Sequence, residues 1–167
     1  MVRKIVPIIE RIPHRIYVEP YCGGASIFFG KRPSPVEVLN DLNSDLVNFY
    51  RALRDPDQFA ELHRMCEVTP YSRDEYYWCV ENWQSLEGVK RVWAWYVVAR
   101  MSFSGRGGWS YSVTTSCRGM SRAVSSWLSI IDMLPEIHAR LQTAQIEHDD
   151  ALSVLSLIHI SEPTRQE

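Results

Sequence analysis

Glu19-Pro20-Tyr21-Cys22-Gly23-Gly24 and, about twenty residues further on, Asp41 are types and spacings that suit a ligand. Paired glycines let a backbone turn approach a bound molecule closely. An acid at the end of the next strand can accept hydrogen bonds from two vicinal hydroxyls at once, as a ribose requires. Together they point to a nucleotide-like cofactor. The alternative is a ligand-free glycine turn, with Asp41 merely opening the next helix, because the full G-x-G-x-x-G spacing is absent. A second set lies between 100 and 122. There Arg100, Arg106, Arg118 and Arg122 alternate with Phe103, Trp109, Tyr111, glycines and hydroxyl residues. Guanidinium groups suit phosphate, and aromatic rings can stack or wedge against bases. A solvated loop is the alternative, although one longer than about fifteen residues is uncommon without a function.

Positioning these residues takes strands that end at the acids. Residues 16–19 read as a strand, the glycine turn follows, and 25–31 read as a helix broken by Pro33 and Pro35. Val36-Glu37-Val38-Leu39-Asn40-Asp41 reads as the second strand, and Asn43-Ser44-Asp45 as the cap of the next helix. An amphipathic helix over 3–12, stopped by Pro13, precedes the first strand. From Asp55 to Met101 the pattern is helical throughout. Asp55-Pro56 opens a helix to about Cys66, and Ser72 with Glu75 forms a capping box. Over 87–102, Val89, Val92, Trp93, Tyr96, Val97 and Met101 form an apolar core stripe. Ser121 begins another helix, and Pro135-Glu136-Ile137-His138 starts a separate turn. Ala144-Gln145-Ile146-Glu147 is a short strand that returns to the βαβ rhythm, and Asp149-Asp150-Ala151 opens a last helix. Consecutive helices inside a βαβ pattern imply a helical insertion.

The chain has 167 residues, 46% apolar and 23% charged, enough for one good core. A net charge of −2 provides no global attraction for nucleic acid. The charge is uneven, however: no acid falls between Glu87 and Asp132, while Lys90, Arg91, Arg100, Arg106, Arg118 and Arg122 do. This predicts a local surface for an anionic partner, or a solvated face countered from elsewhere. The four cysteines form no C-x-x-C pair and the five histidines have no metal-ligand spacing. No apolar run reaches membrane-spanning length.

Tyr17-Val18-Glu19-Pro20-Tyr21-Cys22-Gly23-Gly24-Ala25 resembles the V-E-P-F-x-G-G/A-G motif of the Dam-type (D12 class) site-specific DNA adenine-N6 methyltransferases. Leu39-Asn40-Asp41-Leu42-Asn43-Ser44-Asp45-Leu46-Val47-Asn48-Phe49-Tyr50 resembles that family's N-D-x-N-x-D-L-I/V-N-x-Y/F stretch. Arg100 to Gly107 is similar to its target-recognition segment, and Ile146 to Leu152 to its I-E-N-x-D-A-L turn. The resemblance runs over roughly residues 3–154. It implies an α/β, partial Rossmann-like S-adenosylmethionine-dependent fold with a mainly helical DNA-recognition insertion.

In domain terms it implies a cofactor-binding part at 1–54, the insertion at 55–140 and a return to the methyltransferase domain at 141–154. The implied cofactor residues are Tyr17, Glu19, Pro20, Tyr21, Gly23 and Gly24, with Asp41 on the ribose hydroxyls and Asp150 and Ala151 near the adenine. The implied DNA-binding residues are Arg100, Ser102, Phe103, Arg106, Gly107, Tyr111, Arg118 and Arg122. Double-stranded DNA is the implied partner. A monomer, no metal, no membrane and a cytoplasmic location in a bacterial or phage-infected cell complete the expectation.

The family's chemistry also needs Asp/Asn-Pro-Pro-Tyr, which accepts hydrogen bonds from the amino group of a flipped adenine and stacks on the base. The tetrapeptide does not occur in this sequence. Leu155 to Arg165 resembles translated sequencing adapter, and only Met1-Val2-Arg3-Lys4 stands where the family has a G-G/S-K segment. The expectation is therefore an inactive fragment with a non-native tail over 155–167. Two other readings are a non-catalytic DNA- or cofactor-binding module and a small-molecule methyltransferase. The cationic, aromatic loop argues against the latter. Loss of later strands also predicts an exposed sheet edge at 144–147.

Overall fold

The computed structural model describes residues 2–103, 107–116 and 118–160. Its elements are, in chain order, α1 (Val2–Arg11), β1 (Ile16–Glu19), α2 (Ser26–Gly30), β2 (Val36–Asn40), α3 (Ser44–Arg54) and α4 (Pro56–Val68), then α5 (Arg73–Asn82), a 3-10 turn at Trp83–Ser85, α6 (Gly88–Met101), α7 (Arg122–Leu141), β3 (Ala144–Glu147) and α8 (Ala151–Ile160). They divide into two compact units. One takes in residues up to 51 and those from 140 onward, the other residues 52–139. No described helix is long and apolar enough to cross a membrane.

The first unit holds a parallel sheet in the order β1-β2-β3, with Tyr17 beside Glu37, Glu19 beside Leu39 and Asn40 beside Glu147. The strands arise where the sequence places them, because each is a short apolar run ended by an acid or an Asn. β2 is central, and Val38, Leu39, Glu37 and Asn40 on it are all buried. Among the described residues no strand pairs with the outer side of β3. β1 forms the opposite edge, and among the described residues no strand pairs beyond it. Phe28 of α2 and Ala151 and Val154 of α8 contribute to the core. α1 packs against α2 over Gly30, where an added Cβ would lie 2.9 Å from Val2 Cγ1.

Ala25, the residue before α2, has φ +47° and is fully buried. A left-handed backbone is tolerable for Ala and poor for a β-branched residue. Ala25→Val is expected to lower stability by about 2–3 kcal/mol through strain and overpacking. Ala25→Gly should stay within about 1 kcal/mol, because relief of strain offsets the lost methyl and the looser unfolded chain. Denaturant melts of both variants check this.

The second unit is helical. Asp55 caps α4 by accepting from Gln58 N at 2.8 Å, with Pro56 in the first turn. The capping box expected at α5 does not form. Ser72 stands at the cap position, but its hydroxyl accepts no bond, and its carbonyl alone receives Tyr76 N at 3.1 Å. α6 buries Val92, Trp93, Tyr96, Val97 and Met101 as its spacing predicts, with Val89 half-buried. Thr69 ties the helices together: its Oγ1 accepts from Trp93 Nε1 (2.8 Å) and its carbonyl from Trp127 Nε1 (3.1 Å). Both buried indole N–H groups are thereby satisfied.

One expectation is corrected here. α7 does not restart at Pro135 but runs through it to Leu141. An interior proline forfeits one backbone bond, yet Trp127, Ile131, Leu134 and Leu141 are all buried, and only a continuous helix keeps them on one face. The described residues between α6 and α7 form no further helix or strand, as the loop reading expects, but two isolated bridges fasten them. Ser102 bridges Trp109 and Thr115 bridges Ser121, both antiparallel. Phe103 N donates to Gly108 O, Ser110 N to Met101 O, and Arg122 N to Thr114 O.

Candidate cofactor site and nucleic-acid interface

The glycine turn sits at the carboxyl end of β1 and is braced from three directions. Asp41, just past β2, accepts Gly23 N at 2.9 Å through Oδ2 and Asn43 N at 2.9 Å through Oδ1. Tyr50 of α3, buried, donates its hydroxyl to Gly23 O at 2.6 Å. Cys22 N donates to Asn40 O at 2.8 Å. Gly23 has φ +48°, which L side chains resist, and a Cβ there would meet nothing within 4 Å. The turn therefore presents backbone to open space, with a carboxylate immediately behind it.

Asn40 joins the ends of all three strands. Fully buried, it donates through Nδ2 to Pro20 O and Asp149 O, each at 2.9 Å, and accepts Asp149 N at 3.0 Å through Oδ1. His148 Nδ1 donates to Asp41 O at 2.9 Å. These bonds bring the β3 turn, with Asp150 and Ala151, to the same end of the sheet as Glu19, Pro20, Gly23 and Asp41. Carboxyl ends of parallel strands are where ligands bind in open α/β sheets.

Glu19 is held by two donors, Tyr17 hydroxyl at 2.8 Å and Phe28 N at 2.7 Å, both to Oε1. Burial raises its carboxyl above the ordinary value, while the Tyr17 and Phe28 bonds pull the other way. Burial and the Glu19 contact also raise the Tyr17 phenol, so at neutral pH it remains a donor. Behind Tyr17 lies a buried ion cluster. Lys31 Nζ sits 4.2 Å from the centre of the Tyr17 ring and 2.5 Å from Glu37 Oε1. Arg140 grips both Glu37 oxygens, at 2.6 and 2.8 Å, and lies 3.8 Å over the Phe28 ring. Burial alone would raise the Glu37 carboxyl, but bonds from Arg140, Lys31 and Ser34 N outweigh it and hold the carboxyl below the ordinary value.

Of the residues singled out in the sequence, Glu19, Pro20, Gly23, Gly24 and Asp41 lie at the carboxyl end of the sheet, with Tyr21 71% exposed beside them, while Tyr17 lies two residues back in β1, beside Glu37. Asp150 is already engaged: its Oδ1 caps α8 by accepting Leu152 N and Ser153 N. Ala151 is buried, and its methyl packs inward. Asn40, Tyr50, Lys31, Glu37 and Arg140 were missed as site residues. Asn40 and Tyr50 lie inside a quoted motif. Nothing local marks the ion cluster, whose Arg140 is 103 residues from Glu37.

In the second unit Phe103 (66% exposed) and Tyr111 (68%) present bare rings, and Gly107 is exposed with φ +92°. Arg100 and Arg122 are exposed. Arg118 is within 3.8 Å of Asp132 and so partly neutralised. Ser102 is buried beneath the bridge to Trp109, which removes it from the surface. Arg106 lies outside the described residues. Among the described residues no group of His, Cys, Asp and Glu could hold a metal ion.

A family model described as D12 class N6 adenine-specific DNA methyltransferase matches residues 1–147. The chain is 35% identical over 82 residues to the type II methyltransferase M1.LlaDCHI of Lactococcus lactis subsp. cremoris. That alignment takes in 45% of this chain and 27% of the relative's own length.

Proposed function

Because the chain belongs to the D12 class of N6 adenine-specific DNA methyltransferases, we propose that its first unit binds S-adenosylmethionine and its second contacts duplex DNA. The observation that carries this is the Asp41 clamp. One carboxylate fixes the open glycine turn while each of its oxygens retains a second acceptor site for ribose hydroxyls. Glu19, whose Oε1 takes both the Tyr17 and Phe28 bonds, ends β1 at the same end of the sheet. The parallel order β1-β2-β3 is read as part of a Rossmann-like methyltransferase sheet, and residues 52–139 as the recognition insertion. When bound, S-adenosylmethionine supplies the methyl group for adenine N6. The chain's own residues orient the ribose and keep the turn rigid. The Asp/Asn-Pro-Pro-Tyr element that would hold a flipped adenine occurs nowhere in the 167 residues. This polypeptide is therefore proposed to bind without turnover, in the cytoplasm of a bacterial or phage-infected cell.

Calorimetric titration of S-adenosylmethionine tests the cofactor reading. The native chain should bind, and Asp41→Ala should weaken binding at least about tenfold, the equivalent of about 1.4 kcal/mol. Asp41→Asn retains an acceptor toward Asn43 N and serves as the folding control. Equal affinity in the native and Asp41→Ala chains would overturn the clamp's role. Transfer of labelled methyl to duplex DNA would overturn the proposal that the chain binds without turnover.

A further inference from the structure

The second unit contains a pocket of about 120 Å3 lined by Tyr71, Arg100, Ser110, Ala123, Ser126 and Trp127. One water needs roughly 10–15 Å3 by this measure, so the space admits a group the size of phosphate. Two of its walls are fixed by hydrogen bonds to backbone carbonyls. Tyr71 donates its hydroxyl to Ser110 O at 2.6 Å, and Trp127 Nε1 is taken by Thr69 O. The donors left over are those that could face a ligand: among the described residues the Arg100 guanidinium and the hydroxyls of Ser110 and Ser126 make no hydrogen bond or ion pair. No carboxylate lines the pocket, and the sequence has none from Gly88 to Ile131. Burial raises the Tyr71 phenol, and the Ser110 bond and the Arg100 charge oppose that rise.

We propose that this pocket seats one backbone phosphate of duplex DNA, with Arg100 as its counter-ion and Ser110 and Ser126 as neutral donors. A guanidinium flanked by hydroxyls, with no competing carboxylate, matches the acceptor oxygens and charge of a phosphodiester. The inference deepens the DNA reading above and rests on it. Arg100 thereby positions the duplex and carries no sequence information.

Equilibrium binding of the 167-residue chain to two duplexes of unrelated sequence, across a salt series, provides the test. Arg100→Ala is expected to weaken both duplexes by the same factor and to reduce the slope of log K against log salt by about one. Ser126→Ala should act in the same direction but less. Arg91→Ala should change neither, since Arg91 is bonded to Gln84 O and stacked on Trp83. An unchanged salt slope in Arg100→Ala, or a loss on one duplex alone, overturns the proposal. A second arm follows the Trp127 indole and the amides of Ser110 and Ser126 by NMR, with inorganic phosphate and with duplex as probes. Both probes should move these signals in the native chain and not in Arg100→Ala. Movement with inorganic phosphate alone would make the pocket a free-anion site and overturn the duplex assignment. Movement with neither probe, in a chain that still binds duplex, would overturn the pocket and leave the DNA reading intact.

Discussion

Glu37→Gln is expected to destabilise the chain by about 3–5 kcal/mol, because it leaves a buried and a part-buried cation without their counter-charge. The Lys31 and Glu37 side chains are 1% and 0% exposed, and Arg140 is 17% exposed. Glutamine can accept one bond but supplies no charge. A loss of that size is a large share of the roughly 5–15 kcal/mol of an ordinary domain, and melting should fall by roughly 10 °C. Glu10→Gln is the contrast. Its Arg32 partner is 79% exposed, and the change should leave the denaturant midpoint nearly unaltered. The pH dependence follows from the directions of the shifts. Glu37 is held below its ordinary 4.5, so its stabilisation is full above that value and disappears as pH falls through the lowered one. Glu19 is raised, so its contribution is full below 4.5 and declines as pH rises through its folded value. Denaturant melts from pH 3 to pH 8 should show a steep acid-side loss in the native chain and a flatter curve in Glu37→Gln. Equal stability of the two chains at neutral pH would rule out this role for the cluster.

Asn40→Asp is expected to be nearly as damaging, at about 3 kcal/mol near neutral pH, although the side chains are the same size. The amide donates to two carbonyls, Pro20 O and Asp149 O, at a fully buried position. A carboxylate there points lone pairs at lone pairs and buries a charge with no cation against it. Its pKa in the folded chain would be raised. Stability should therefore recover as pH is lowered and the acid becomes a neutral donor, the opposite of the Glu37 trend. The same variant should lose measurable S-adenosylmethionine binding at pH 8, because Asn40 keeps the glycine turn and the β3 turn in register. Melts at pH 4 and pH 8, paired with cofactor titration, separate the two effects. An Asn40→Asp chain as stable at pH 8 as the native one would remove Asn40 from this role.

Local chemistry made much of the first unit legible in advance. The runs at 16–19, 36–40 and 144–147 are short, apolar and punctuated by Pro, Gly, Asn and Asp, and each is a strand. The Asp41-to-glycine relation was readable as a spacing because a βαβ step has a nearly fixed length. The caps at Asn43 and Asp55 formed as their side chains dictate, since a cap is satisfied within three residues. Ser72 and Glu75 have the capping-box spacing without forming the box, because the pattern is permissive and whether the hydroxyl turns inward depends on packing. Pro135 reads as a break because an interior proline costs a helix about 3 kcal/mol, yet burial of Trp127, Ile131, Leu134 and Leu141 on a single helix face outweighs it.

The sequence by itself determined the candidate ligand chemistry: an open glycine turn, an acid one strand away, and a cationic, acid-free segment for an anionic partner. Tertiary structure alone decided what holds that chemistry in place. The Arg140–Glu37–Lys31 cluster joins charges 103 residues apart, and Asn40 reaches Asp149 across 109. Such pairings have no period or motif. They exist because a folded interior leaves no buried charge or amide without a partner, and which partner is near is settled only when the strands have been laid side by side. The same holds at 100–127, where Tyr71, Arg100, Ser110 and Ser126 share a pocket only through the packing of α6, α7 and the segment between them.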